Sequence, residues 1–196
     1  MRISCSLLAA AMTLGIGLAA APVAAADPVD TLLLNVDEVR GIVATNADLT
    51  GAPPVDQPAG QHQYDADYPP ECHAVFDQDV AFAGGYNQFR SVTYTGPSNA
   101  AVTQAVAVYQ NATTARDALT TVGQALNACS ESHPANLAVT TQVLDRATFA
   151  LCQAQCSTIY RQSGPVLIAV SAVRFGDSDR IATAVLQQVT GRAKAL

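Results

Sequence analysis

Four cysteines carry the clearest chemical signal in the chain, at positions 72, 129, 152 and 156. Thiol oxidoreductases use Cys-x-x-Cys at the start of a helix, where the dipole lowers a thiol pKa. The pair Cys152 and Cys156 is longer by one residue, and its neighbours are typical of a strand. Copper-delivery proteins do use Cys-x-x-x-Cys, but they add a downstream histidine, and no histidine follows Cys156. We therefore favour a structural role for all four cysteines, Cys72, Cys129, Cys152 and Cys156.

A second polar set lies in a Pro/Gly-rich stretch and comprises His62, Asp65, Asp67, Glu71 and His73. Imidazole and carboxylate groups are ligands for divalent cations. Acidic and polar residues also keep an exposed loop solvated, and this second interpretation is the one we favour. The sequence-based expectation is therefore no metal and no cofactor.

Searches for the common catalytic motifs give no match. The chain has no Gly-x-Ser-x-Gly, no His-Glu-x-x-His and no glycine-rich phosphate loop. A Ser-x-x-Lys pair is excluded because Gly191 stands three residues before the single lysine, Lys194. We therefore predict that the protein is not an enzyme.

Residues 1–26 have the pattern of a signal peptide. Arg2 is followed by an uncharged apolar run from Leu7 to Val23, and Ala24-Ala25-Ala26 provides small residues before a cleavage site at Ala26–Asp27. Cys5 precedes the apolar run, so it is not the acylated cysteine of a lipoprotein. We predict a secreted or cell-envelope protein whose remaining cysteines meet an oxidising compartment.

Size and charge limit the possible partners. Cleavage leaves about 170 residues, 27–196, which is the size of one domain. The net charge is −6, with one lysine, so the chain has no basic patch for nucleic acid. No second apolar run is long enough for a membrane span.

Hydrophobic periodicity predicts the elements that must position these residues. Asn35 and Glu38 form a capping pair before a helix at about 36–45. Asn111 or Thr113 begins a second helix, which has one apolar stripe. Ser178 or Asp177 caps a final helix whose buried face contains Ile181, Val185 and Val189. The stripe consists of Ala115, Leu119, Val122, Leu126 and Cys129.

The sequence predicts five strands, at residues 88–95, 101–109, 137–144, 147–160 and 165–174. The strand at 101–109 is apolar on both faces. A short helix carries Cys72, and the Pro/Gly-rich loop at about 47–70 is interpreted as mobile. The expected fold is α+β, with a largely antiparallel sheet and helices packed on one face.

Several segments together resemble the PknH-like extracellular sensor domain family of mycobacteria: Pro70-Glu71-Cys72, Ala105-Val106-Ala107-Val108-Tyr109, and Phe149-Ala150-Leu151-Cys152. The similarity spans about Leu32 to Lys194, with Leu126 where the family often has Trp. It implies two disulfides and a broad cleft for an unidentified ligand.

The resemblance pairs Cys72 with Cys129. It also places a partner for Cys152 near Ala172 or Val173, where this chain has no cysteine. Cys156 is then the remaining candidate, and such a bond requires a turn or bulge at 153–155, because residues four apart in a strand are about 13 Å apart.

Three functions remain as hypotheses. The first is a secreted, non-catalytic, sensor-like module that binds a small molecule or a cell-envelope ligand in a cleft, with unknown binding residues. The second is a protein–protein interaction module that docks an exported or membrane partner through an apolar face, using the 47–70 loop. The third is a hydrolase whose site, for example Asp65, Glu71 and His73, assembles only in the fold.

Overall fold

The computed structural model describes residues 28–43, 48–82, 84–153 and 157–196. The predicted signal peptide, 1–26, lies outside these residues. Within them, seven strands form one antiparallel sheet in the order β1-β2-β3-β7-β6-β5-β4. The strands are β1 Thr50–Gly51, β2 Tyr86–Thr95, β3 Ala101–Tyr109, β4 Thr140–Asp145, β5 Thr148–Cys152, β6 Thr158–Ser163 and β7 Val166–Val173. The helices are α1 Val36–Val43, α2 His73–Phe76, α3 Gln78–Ala81, α4 Ala112–Ser132 and α5 Ser178–Ala193.

The central strands β3 and β7 are buried on both faces, because each has apolar residues at consecutive positions. In β3, Val102 and Val106 pack with α1 and α5, whereas Ala105 and Ala107 pack with α4. The α+β class and the antiparallel sheet are confirmed. The helices, however, cover both faces of the sheet and not one, because apolar side chains on either face must be removed from water.

The first face is covered by α5 and α1. Ile181, Val185 and Val189 of α5 are buried, as the sequence predicts. The predicted capping pair of α1 is also confirmed: Asn35 Oδ1 accepts from the backbone N–H of Glu38 at 3.0 Å, and the Glu38 carboxylate accepts from Asn35 N–H at 2.8 Å. This reciprocal arrangement satisfies N–H groups that the first turn leaves unbonded.

Arg192, in the last turn of α5, ties that helix to the beginning of the described chain. Its guanidinium donates to the carbonyl oxygens of Thr31 and Leu33 and pairs with the Glu38 carboxylate. The first and last elements of the domain therefore lie side by side on this face.

A buried amide anchors the N-terminal segment to the sheet. Gln104 of β3 is fully buried; its Oε1 accepts from Leu34 N–H at 2.9 Å and its Nε2 donates to Leu34 C=O at 3.1 Å. The Tyr94 hydroxyl donates to the same carbonyl at 2.8 Å. A polar side chain is tolerated in this core because all of these groups are bonded.

The second face is covered by α4, whose predicted stripe, Ala115 to Cys129, is buried throughout. Asn111 caps this helix by accepting from Thr114 N–H at 3.0 Å. A disulfide joins Cys129 near the end of α4 to Cys72 just before α2, with Cα atoms 4.6 Å apart. The implied Cys72–Cys129 pairing is therefore present in the structure.

The region predicted as one strand at 147–160 is two strands. β5 and β6 are antiparallel neighbours, so the chain reverses direction between Cys152 and Thr158. This reversal lies where the Cys152–Cys156 hypothesis requires a turn or bulge. Cys152 ends β5 and is disulfide-bonded. Its predicted partner, Cys156, lies outside the described residues, so that pairing stays a prediction.

The first part of the Pro/Gly-rich segment, residues 50–55, follows the outer edge of β2. After β1, Ala52 N–H donates to Thr93 C=O at 3.1 Å, and Val55 exchanges two 2.9 Å hydrogen bonds with Ser91. Backbone groups at this edge of the sheet are thus paired. None of the helices in the described ranges is both long and apolar enough to cross a membrane.

Replacing Gln104 with Leu should lower the free energy of unfolding by about 1–3 kcal/mol, because Leu34 N–H is then buried without a partner. Urea denaturation measures the change. The matched control is Gln142→Leu on the edge strand β4, where Gln142 is exposed, and this change should stay within about 0.5 kcal/mol. Equal losses in the two variants would contradict the role assigned to Gln104.

Replacing both Cys72 and Cys129 with Ala should cost about 4 kcal/mol of stability in the chain-entropy model, since the bond joins residues 57 apart. The predicted Cys152–Cys156 bond closes a much shorter loop, so the corresponding double variant should lose only about 2 kcal/mol.

Peptide mapping of non-reduced protein checks both pairings directly. Two reactive thiols in the denatured secreted chain would refute the second disulfide, and a Cys72 peptide separate from Cys129 would refute the first.

Candidate binding cleft and its rim

A cleft of about 380 Å³ opens on the α4 side of the sheet, beyond the part that α4 covers. Its floor is the start of β3 and the end of β7, together with residues of β2 and β6. Its opposite wall, named here the roof, is residues 73–82, which include α2 and α3. The floor residues are Thr93, Ala101, Thr103, Ala105, Thr158, Tyr160, Ala169, Ser171 and Val173. The roof and side residues are Gln61, Ala74, Val75, Phe76, Asp77, Gln78 and Phe82.

Four hydroxyl side chains form a row across the floor. Strand register places Thr93 opposite Thr103, Thr103 opposite Ser171, and Ser171 opposite Thr158. Within the row, the Oγ1 atoms of Thr93 and Thr103 are 3.0 Å apart, and Thr158 Oγ1 donates to Ser171 Oγ at 2.9 Å. The row, Thr93–Thr103–Ser171–Thr158, is called the hydroxyl row below.

The next row of the floor creates the depth of the cleft. Ala105 and Ala169 lie opposite each other in β3 and β7, flanked by Ser91 on β2 and Tyr160 on β6. Two methyl side chains between larger neighbours leave a hollow that no adjacent side chain fills. Burial raises the pKa of Tyr160 from 10.0 to about 12, so its phenol stays neutral at physiological pH.

The roof is held in place by the disulfide and by aromatic packing. Phe76 stacks on Tyr68, with ring centroids 5.0 Å apart, and lies 5.1 Å from Tyr64. Helices of one turn are not stable alone. The covalent bond at Cys72 and these ring contacts therefore fix the height of the roof above the sheet.

A cluster of one histidine and three carboxylates lies at the rim, named here the rim cluster: His62, Asp65, Asp77 and Asp79. His62 Nδ1 is 3.1 Å from Asp65 Oδ2 and 3.9 Å from Asp77 Oδ2, and His62 Nε2 is 2.9 Å from Asp79 Oδ2. The carboxylates of Asp79 and Asp65 raise the pKa of His62. Asp77 also lines the cleft, so the cluster and the cleft are contiguous.

Comparison with known proteins identifies the fold family. Residues 24–192 match the model of the PknH-like extracellular domain. The chain belongs to this family. The crystal structure of the extracellular domain of PknH from Mycobacterium tuberculosis is similar, with a TM-score of 0.57 and 19% identity. The match covers 83% of this chain and 94% of that one. No curated protein matches the chain.

Membership of the PknH-like family confirms the resemblance inferred from the cysteines and apolar segments. The family is extracellular, as its description states. At 19% identity the similarity to the PknH structure supports the fold alone.

Only part of the polar set noted in the sequence comes together. His62 and Asp65 meet in the rim cluster, and His73 Nδ1 lies 3.6 Å from Asp65 Oδ1. Among the described residues, the side chains of Asp67 and Glu71 make no hydrogen bond or ion pair with either histidine.

Asp77 and Asp79 were missed by the sequence analysis. Both lie in the roof, more than ten residues from His62, and no spacing rule connects them with that histidine. The hydroxyl row was missed too, because it is a property of strand register and not of any one segment.

The raised pKa of Tyr160 predicts a loss of stability at high pH. Unfolding returns the phenol to its ordinary pKa, so its contribution is complete below pH 10.0 and is lost as pH rises towards about 12. Tyr160→Phe should therefore show a shallower fall of Tm between about pH 9 and 11 than the wild type. Thermal unfolding at several pH values measures this slope.

Thr158→Val is the control, since it removes a neighbouring hydroxyl of the floor but keeps the phenol. Its Tm should fall with pH as in the wild type. A Tyr160→Phe slope equal to the wild-type slope would contradict the prediction.

Proposed function

We propose that this chain is a secreted, non-catalytic, sensor-like module whose cleft binds a neutral, hydroxyl-bearing small molecule or cell-envelope component, such as a glycan fragment. The observation that carries the proposal is the hydroxyl row. Four in-register hydroxyls floor a cleft whose volume, about 380 Å³, lies within the range of small-molecule sites.

The row suits a ligand with repeated hydroxyl or amide groups. Adjacent strands are about 4.8 Å apart, so the four side chains span about 14 Å. Each hydroxyl can donate one hydrogen bond and accept two, so the hydroxyl–hydroxyl pairs within the row retain capacity for a ligand. The hollow above Ala105 and Ala169 gives room for a ring beside that row.

The opposite wall is largely apolar. Val75, Phe76 and Phe82 of the roof face the floor across the cleft. Small-molecule sites typically combine such apolar surface with a few placed polar groups. A ligand with one hydroxyl-rich face and one less polar face would match both walls.

The charge of the cleft disfavours an anionic ligand. The chain carries a net charge of −6. Among the described residues that line the cleft, Asp77 is the sole carboxylate and no Lys or Arg is present. An anionic ligand would meet a repulsive field without a compensating cation.

The extracellular character of the family supports cleavage of residues 1–26 and a single secreted domain at 27–196. Two alternatives have less support. Within the 47–70 loop proposed for docking, residues 50–55 are paired with β2. The exposed apolar side chains of the edge strand β4, Val143 and Leu144, are too few for the several hundred Å² of a typical docking patch. For the hydrolase alternative, Asp65 and His73 approach, but Glu71 does not join them.

Native mass spectrometry of protein purified from its own culture medium tests the proposal. We expect a retained mass of a few hundred daltons on the wild type. Ala169→Leu fills the hollow in the floor and should abolish the retained mass, because the added side chain occupies the space for the ligand.

Ala112→Leu is the matched control, since Ala112 is exposed at the start of α4 and away from the cleft. It should retain the same mass as the wild type. The proposal fails if the wild type carries no added mass, or if Ala169→Leu carries it equally.

A further inference from the structure

One carboxylate of the rim cluster is buried without a hydrogen-bond partner for one of its oxygens. Asp77 is only 1% exposed. Its Oδ1 accepts from Gln61 N–H, while its Oδ2 has no hydrogen-bond donor. That oxygen is aimed at His62, whose Nδ1 is 3.9 Å away. A buried carboxylate oxygen without a donor is costly, and a cation beside this oxygen would compensate it.

We infer that His62, Asp65 and Asp77 form a binding site for one divalent transition-metal ion of the Zn²⁺ class. One ligand atom from each of the three residues lies within 4.8 Å of the other two. Two ligand atoms that are each about 2.1 Å from a zinc ion are separated by about 3 to 4 Å. The distances of 3.1 and 3.9 Å from His62 Nδ1 to Asp65 and Asp77 fall in that range.

The other nitrogen of His62 has the partner that a metal-binding histidine requires. Ligating histidines almost always donate their second N–H to a carboxylate, a backbone carbonyl or water, which fixes the tautomer and the ring orientation. His62 Nε2 lies 2.9 Å from Asp79 Oδ2. Asp79 therefore leaves Nδ1 free to bind a cation, and acts as a positioning residue.

Gly60 makes this histidine–carboxylate contact possible. A Cβ at position 60 would lie 2.6 Å from His62 Nε2 and 2.7 Å from Asp79 Oδ1. Any side chain there would displace one of the two groups. The backbone thus leaves room for the ring and its partner.

Protonation of His62 alone does not satisfy the cluster. A proton on Nδ1 serves Asp65 Oδ2 at 3.1 Å, but Asp77 Oδ2, at 3.9 Å, is beyond hydrogen-bond distance. A cation between the three groups compensates both carboxylates at once. The donor set of one imidazole and two carboxylates favours a zinc-class ion over Ca²⁺ or Mg²⁺, which prefer oxygen ligands alone.

Calorimetric titration of Zn²⁺ into chelator-treated, full-length secreted protein tests the inference. The wild type should bind one equivalent, with a rise in Tm. Asp65→Asn, Asp77→Asn and His62→Gln should each abolish this binding. Asp79→Asn should weaken it by about 10–100-fold, as expected for loss of a partner outside the ligand set.

Asp67→Asn is the matched control, because Asp67 lies in the same segment but is exposed and outside the cluster. It should bind Zn²⁺ as the wild type does. Ala169→Leu should also bind Zn²⁺ normally, and this result would distinguish the metal site from the proposed ligand site in the cleft. Circular dichroism checks that each variant folds. If Asp77→Asn does not fold, the Zn²⁺ binding of Asp65→Asn and His62→Gln decides the test. The inference is overturned if the wild type shows no saturable binding, if Asp67→Asn loses as much as Asp65→Asn, or if all three ligand variants bind normally.

Discussion

The structure depends on one constraint: the paired central strands β3 and β7 are apolar on both faces and must be covered twice. One cover is α5 with α1, which places the Val and Ile side chains of both strands in a continuous core. The other cover is α4, which reaches only part of the second face. Where α4 ends its coverage, the strand residues change from Ala, Leu and Tyr to small and hydroxyl-bearing side chains. The cleft is the result of this change.

The disulfide connects the long helix α4 to the segment that contains the short helices α2 and α3. Cys129 is held at the end of a long amphipathic helix, whereas Cys72 lies beside two helices of a single turn. Their bond transfers the rigidity of α4 to the roof. Asp77 belongs to both the roof and the rim cluster, so the same covalent constraint positions the cleft wall and the carboxylate beside His62.

Local sequence patterns predict those elements of the fold whose signal lies within one segment of the chain. The capping pair at Asn35, the stripe ending in Cys129 and the strand at 101–109 each show as a pattern within one segment of the sequence, and each is confirmed. The local pattern alone predicts one strand over 147–160, and it is the Cys152–Cys156 spacing that indicates a turn or bulge between the arms of β5 and β6. The hydroxyl row requires the register of four strands, and the meeting of His62 with Asp77 and Asp79 requires the path of the loop. Neither has a signature in any single segment.

The contact between Arg192 and the carbonyl oxygens of Thr31 and Leu33 holds the two ends of the described fold together. It keeps the first and last described elements together on the α1–α5 side, whereas the cleft opens on the opposite side of the sheet. A tether joined at residue 28 or residue 196 would therefore start on the face of the sheet opposite the cleft. Protein immobilised through either position would present its cleft to the solution.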